Sequence, residues 1–505
     1  MTDTEVLIVG AGPTGLMAAV ALARRGVPAV IVDRKSGPTR ESRALAVQAR
    51  TMEIYEQLGL AEQVLAGAYS AETMQIGTAA GPNRIGITAI QQGATRFPGI
   101  HVFEQSRNEH LLYDALLRAG RDVRWNHRLV DVVDHTAEPD GRVQALLEAT
   151  DGGLSRVSAR WCIGADGAAS TVRRELDLRF DGVTDDATFW VADIRGVRGV
   201  PEGSLAMRFG NATFAVAFPL GPDGHTRLVA LAPHDAVTEQ EALTAARTDL
   251  GLELGPVDWF STYRVHHRVA SRFRVGSVYL AGDAGHVHSP VGGQGMNTGL
   301  QDAHNLAMLL ADVSQGRLSD DTLARYERER RPVAVHLVKV TDRAFGVIGR
   351  RSPATALFRR RFSSIVARVA PLLLRSPLGP LLGGYLGQYR IRYHFADSRQ
   401  PTPEWADDPA VGRRLSPVAD NQQSLRDMTW QLHAYGAADV ARPEVPDWIS
   451  GPLAFPADPQ KRLRADRIYL VRPDQFVAAS IPLRGNTIDA HQLRSAMAAH
   501  AMLVD

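Results

Sequence analysis

The chain has 505 residues, with 57 basic and 55 acidic side chains, a formal net charge of +2, 45% hydrophobic and 22% charged residues. That is the make-up of a folded protein of two or three domains, and a near-neutral balance offers no basic stripe for nucleic acid. The single cysteine, Cys162, excludes an intrachain disulfide and a cysteine-rich metal site.

Residues Val6–Val9 form a short apolar run, followed by Gly10, Gly12 and Gly15 in the pattern Gly-x-Gly-x-x-Gly, with Pro13 and Thr14 inside it. Leu16–Arg25 then reads as a helix, and Pro28–Val32 as a second strand ending at Asp33, 18 residues after Gly15, with Arg34 next. Strand, glycine turn, helix and strand open a doubly wound α/β fold. Each part of the motif has a task. Gly10 permits the tight turn, Gly12 lets the backbone approach a pyrophosphate, and Gly15 lets helix and strand pack closely. The helix N-terminus offers N–H groups and partial positive charge to phosphates. Asp33 can accept from a ribose 2′-OH and would repel a 2′-phosphate, so FAD or NAD is expected at this turn and NADP is not.

Helices are expected near Thr51–Leu58 and over Asn108–Arg118, the latter just after Gln105. The strand-like run Val157–Ile163 holds Cys162 among apolar neighbours, where an inert buried thiol is expected. It leads to Asp166-Gly167, then Ser170 and Arg173. That pair fits an Asx-type turn before a helix equally with a cofactor contact. From Thr188 to Arg268 the texture changes to strands at Phe189–Ile194, Ser204–Phe209, Thr213–Phe218 and Thr226–Leu231, a mixed sheet inserted into the first domain. Arg195, Arg208, Tyr263, His266 and His267 are its polar candidates for touching a bound substrate; none is singled out, and the catalytic residue is unknown.

The α/β pattern returns at Ser277–Leu280, which ends in Gly282-Asp283, and a helix is expected over Thr298–Asp312. A carboxylate at the end of such a strand is placed to bond a ribitol or ribose hydroxyl. Between them lies Pro290-Val291-Gly292-Gly293-Gln294-Gly295-Met296-Asn297, a glycine loop that can lie against a flat ring and open a helix N-terminus onto it. Thr322–Arg399 is expected to be mostly helical. Its Arg350, Arg351, Arg359, Arg360 and Arg361 form either a solvated face or an anion or membrane-surface contact. Gln400–Pro417 reads as a proline-rich linker, and the tail carries strand and helix signals at Ile468–Val471 and Gln492–Leu503. No uninterrupted apolar stretch of about 18 residues occurs, so no membrane span is expected. No leader with a charged start, apolar stretch and cleavage site is recognisable, so the cytoplasm is the expected location.

Together the three motifs resemble the class A flavoprotein monooxygenases, the family of para-hydroxybenzoate hydroxylase and phenol hydroxylase, over about residues 4–345. The resemblance implies that the first motif holds the ADP part of FAD, that Gly282-Asp283 contacts the ribitol, and that Pro290, Gly293, Gly295, Met296 and Asn297 lie against the isoalloxazine. It implies that Asp166-Gly167 serves FAD and NAD(P)H, and that Arg43 and Gln105 lie near the FAD phosphates and ribose. Gly285 departs from the alanine many members have there. The tail is similar to that of members acting on phenols and polycyclic polyketides, whose C-terminal domain is thioredoxin-like; without cysteine it cannot be a redox domain.

The implied architecture is α/β, with a Rossmann-like FAD-binding domain from residues 1–187 and 269–345. An inserted mixed-sheet substrate domain occupies 188–268, a helical connection 346–400 and a thioredoxin-like domain 401–505. The implied activity uses FAD, NAD(P)H and O2 to hydroxylate a phenolic or polycyclic aromatic through a C4a-hydroperoxyflavin, with homodimerisation as a further expectation. Baeyer–Villiger insertion, epoxidation, a non-oxygenating flavin reductase and a flavin-binding scaffold are the alternatives.

Overall fold

The computed structural model of the protein describes residues 2–39, 44–78, 81–139, 141–288, 293–348, 369, 376, 378–395, 402–437 and 439–503. The arginines at 350, 351 and 359–361, together with Arg43 and Pro290, lie outside the described residues.

The first sheet runs in the order Arg274–Val275, Val278–Leu280, Leu154–Gly164, Thr2–Val9, Ala29–Val32, Val123–Arg124. Along this path the neighbours are parallel except the first pair, and Val143–Ala149 and His127–Asp134 extend the sheet antiparallel from Leu154–Gly164. Central parallel strands are covered on both faces, which is why they read as unbroken apolar runs. Val6, Leu7, Ile8, Cys162 and Ile163 have no exposed surface. Burial also pushes the Cys162 thiol far up from its ordinary range, as expected for an inert thiol. Helix Pro13–Arg24 packs on this sheet, and helix Gly295–Ser314 packs on that helix and on the turn Gly282–Ala284.

The second sheet has eight strands, and it draws on more of the chain than 188–268. Its order is His286–Val287, Val257–Ala270, Phe180–Ile194, Thr226–Leu231, Phe214–Pro219, Ser204–Phe209, Thr73–Thr78, Gly81–Gly86. Ser204–Phe209 pairs in parallel with Thr73–Thr78, so the sheet is mixed as expected. The recruited hairpin Thr73–Gly86 lies inside the stretch assigned to the first domain. A parallel pairing over 131 residues, Ser204 with Thr73, leaves no local sequence signal.

The tail forms a five-stranded sheet, Ile449–Phe455, Trp430–Tyr435, Arg467–Val471, Val477–Arg484, Thr487–Ile488, closed by helix Ala490–Ala499. One hydrophobic cluster runs unbroken from Val6 through Leu310 to Trp430, Leu432 and Ile468. Polar groups cross the same boundary. Arg472 donates two hydrogen bonds to Glu329 (2.7 and 2.9 Å) and pairs with Asp474 (2.7 Å). Trp430 Nε1 donates to Asp312 (2.8 Å), which also takes Arg25 (2.6 Å). The proline-rich stretch expected as a linker is packed: Trp405, Val411 and Leu415 are buried against the tail sheet or the shared core. Prolines break its secondary structure, but its apolar side chains still anchor it.

Candidate active site

A cavity of about 980 Å³ runs from the first glycine turn to the inner face of the eight-stranded sheet. Gly10, Gly12, Pro13, Thr14, Asp33, Arg34, Gln105, Asp166, Gly167, Asp283, Gly293, Gly295 and Met296 line it, so all three motifs meet in one space. Gly15, Gly282 and Asn297 stand behind that wall.

The glycines divide into those that pack and those that face space. Gly10 has φ +103°, and a Cβ there would lie 2.3 Å from the Ala165 carbonyl oxygen. A Cβ on Gly15 would lie 1.8 Å from the Gly10 oxygen. At Gly12 a Cβ would meet nothing within 4 Å. Gly10 and Gly15 fix the turn; Gly12 leaves the cavity open in front of the backbone. Gly12 caps helix Pro13–Arg24 without any side-chain cap, and the first turn holds no acidic residue. N–H groups there face an approaching anion. Thr14 packs between Gly282 and Gly299, where added Cβ atoms would come within 2.4 and 2.6 Å of its Oγ1. The first two motifs are thus locked together, through a glycine the sequence reading passed over.

Asp33 accepts from the backbone N–H of Ala11 (2.6 Å) and of Lys35 (2.8 Å), which aims the carboxylate along the cavity wall. Gln105 is the first residue of helix Gln105–Arg118 rather than a residue before it. Its amide donates to Glu109 (3.1 Å), which also accepts from Lys35 Nζ (3.1 Å) and Thr39 N (2.8 Å). Glu109 is therefore the buried organiser of this wall. Its position four residues after Gln105, one helical turn on, was the available signal.

Asp166 shows the Asx-turn geometry weighed above. It accepts from Ser170 Oγ (2.5 Å), Thr171 N (2.6 Å) and Val172 N (3.2 Å), at the start of helix Thr171–Glu175. Arg173 links this turn to the second motif by donating to Ala168 O (2.7 Å) and Ala284 O (2.8 Å).

Asp283 opens its carboxyl to the cavity, while protein crowds its other sides. That desolvation raises its pKa, and nearby His286 opposes the rise. Beneath it lies a hub the sequence reading also missed. Asp302 accepts from His286 Nε2 (2.7 Å), Gly282 N (3.3 Å) and Arg330 Nε (2.7 Å), and Arg330 donates onward to Tyr393 OH (3.0 Å). Burial alone would raise the Asp302 pKa; Arg330 and His286 hold it below the ordinary carboxylate range. Asn297 acts as a clamp. It donates to Ala46 O (2.7 Å) and Gly293 O (2.9 Å) and accepts from Gln48 N (2.9 Å). Gly295 and Met296 then open helix Gly295–Ser314 onto the cavity, again with no side-chain cap and no acidic first turn.

The far end of the cavity is apolar. Phe189, Leu205, Met207, Phe214, Val216 and Val229 project from neighbouring strands, with Tyr263 beside Phe189 (ring centroids 6.0 Å apart). Tyr263 and His266 line the cavity. Arg208 is used elsewhere, on Thr78 O and Gly199 O, and Arg195 pairs with Asp258 at the surface. His267 is buried and is not part of the lining. Among the described residues there is no group of metal-ligating side chains, and no helix is long and apolar enough to cross a membrane.

A dinucleotide cradle that opens directly onto an apolar chamber defines an oxidoreductase that brings a bound redox cofactor against a flat organic substrate. A family model described as "FAD binding domain" matches residues 3–341. The chain is 32% identical to 6-methylpretetramide 4-monooxygenase of Streptomyces rimosus, over 96% of this chain and 92% of that one. It also aligns with the anhydrotetracycline hydroxylase OxyS of Streptomyces rimosus at a TM-score of 0.76 and 27% identity, over 99% of both chains. The flavin-dependent monooxygenase PieE, solved with FAD and substrate, shares the fold at a TM-score of 0.78 and 24% identity, over 99% of both chains. The chain belongs to the FAD-dependent aromatic and polyketide monooxygenases, the class A flavoprotein hydroxylases.

Proposed function

We propose that this enzyme uses NAD(P)H and O2 to hydroxylate a phenolic or polycyclic, polyketide-like aromatic. The observation that carries this reading is the continuity of one cavity from the Gly10–Gly15 turn to the apolar sheet face. FAD, when bound, supplies the electron transfer and the activation of O2. The protein supplies placement. Gly12 and the N-terminus of helix Pro13–Arg24 receive the pyrophosphate, Asp33 a ribose hydroxyl and Asp283 the ribitol. Gly293, Gly295 and Met296 back the ring, with the N-terminus of helix Gly295–Ser314 turned to its electron-rich edge. Asp166 and Gly167 frame the opening where a nicotinamide donor would approach. The apolar chamber keeps water from the reacting atoms, which guards against loss of activated oxygen as peroxide.

The tail's parallel pair, its antiparallel hairpin and its closing helix support the thioredoxin-like reading of 401–505. Cytoplasmic placement and homodimerisation complete the proposal. The test is NAD(P)H oxidation in air by the purified, FAD-loaded protein, with and without a panel of phenols and polycyclic quinols, tracking peroxide and product mass. A compound that speeds oxidation without matching peroxide, and gains one oxygen on a ring carbon, is the expected result. If no compound speeds oxidation, the hydroxylase reading fails in favour of a reductase or scaffold. Ring expansion or epoxide formation would replace hydroxylation by the other oxygenations.

A further inference from the structure

The chamber's ceiling is one face of the eight-stranded sheet. Met74, Phe189, Leu205, Met207, Phe214, Val216, Phe218, Val229, Tyr263 and Val265 reach into it from six adjacent strands. None of these ten lining side chains is charged, and their one polar group is the Tyr263 hydroxyl. Arg264 and His266 also line the cavity, but only at its rim: they alternate with Tyr263 and Val265 along strand Val257–Ala270, so their exposed side chains leave from the opposite face of the sheet. Arg227 shares the inward row with Val229, but it is not part of the lining. Its charge is met by Asp193 (2.5 and 2.6 Å) and Glu104 (3.1 Å).

Resting on the proposed aromatic oxygenation, we infer that the chamber selects substrates whose inserted rings are electrically neutral, and rejects aromatic acids that would carry a carboxylate into it. A carboxylate placed under this ceiling would lose its water and find no cation or donor row in return, which is costly. A fused-ring phenol loses little, because its polar atoms are few and its faces match Phe, Met and Val surfaces. Met74 and Met207, both unbranched and adaptable, let the ceiling accommodate different ring outlines without altering this charge preference.

The test is equilibrium dialysis of the FAD-loaded enzyme against three ligands of one ring skeleton: 2-naphthol, 6-hydroxy-2-naphthoate and its methyl ester. The expected result is comparable binding of the naphthol and the ester, and an acid weaker by on the order of 100-fold. Met207→Lys should reverse the order, with its circular dichroism confirming the fold. Should that variant fail to fold, the acid-versus-ester ratio in the unaltered enzyme still decides. Equal or tighter binding of the acid overturns the inference, as does failure of both neutral ligands to bind. Binding is read without turnover. An enzyme that binds naphthol but never oxidises NAD(P)H therefore refutes the hydroxylase proposal and leaves this inference standing.

Discussion

Alanine at Gly12 should remove cofactor affinity and spare the fold, whereas alanine at Gly15 should damage the fold itself. The two glycines are three residues apart in one motif, yet their surroundings are opposite. Gly12 has φ −79° and ψ −176°, an extended conformation open to any residue, and its Cβ would enter empty cavity. Exchanging one N-cap residue for a poorer one costs a few tenths to about 1 kcal/mol. The new methyl group would hold the phosphates off the helix N-terminus and break one or two hydrogen bonds to a charged group, each about 1.5–3 kcal/mol. FAD affinity should fall roughly 10- to 100-fold or more. At Gly15 the Cβ would sit 1.8 Å from a backbone oxygen, so strand and helix must separate. A loss above about 4 kcal/mol is expected there. The assay pairs thermal unfolding of the apoprotein with FAD titration by flavin fluorescence. A Gly12→Ala protein that binds FAD within about twofold of the unaltered chain would refute the placement of the phosphates. Equal loss of apoprotein stability in both variants would refute the division between packing and cavity-facing glycines.

Asp302→Asn should cost about 3–5 kcal/mol in chemical denaturation, because it leaves the Arg330 cation buried without its countercharge. A loss under about 1 kcal/mol would show that the hub is dispensable. Glu329 gives a pH signature. Burial would raise its pKa, but Arg472 and Arg325 hold it at about 2, below its ordinary 4.5. A depressed carboxylate stabilises the fold above its unfolded pKa, and that stability drains away as pH falls from about 4.5 towards 2. Glu329→Gln should therefore be less stable at neutral pH and show a shallower acid slope through that window; an unchanged slope would assign acid unfolding to other groups. Cys162 should react with a thiol reagent only at the rate of unfolding, and rapid labelling of the native enzyme would contradict its burial.

What could be read from the sequence was local. The Gly10–Gly15 turn, Asp33 and the Gly282-Asp283 strand end declare themselves within a few residues of chain, because turn geometry and helix entry depend on neighbours. The helix expected over Thr298–Asp312 spans Gly295–Ser314, and Thr226–Leu231 was read without error, since periodicity marks such elements. Glu109 and Asp302 escaped notice for the opposite reason. A carboxylate on a helix reads as a solvated face, and their partners are distant: Lys35 is 74 residues from Glu109, and Arg330 is 28 from Asp302. The contribution of Thr73–Gly86 to the second sheet was hidden likewise, because strand order is settled by tertiary packing. Asp166 offered two readings that sequence could not separate. Its side chain caps a helix while its residue faces the cavity, so the two readings do not compete.

The union of the tail with the flavin domain also bears on how the molecule is made. Helix Ala324–Ile348 buries Glu329 against Arg472, and helix Gly295–Ser314 buries Asp312 against Trp430. On a ribosome, both helices emerge long before those partners. A nascent chain ending short of residue 472 holds a carboxylate with a missing partner and an apolar surface without its full cover, a state open to aggregation. The domain that carries the cofactor cradle thus gains part of its buried core only when the tail strands have been made.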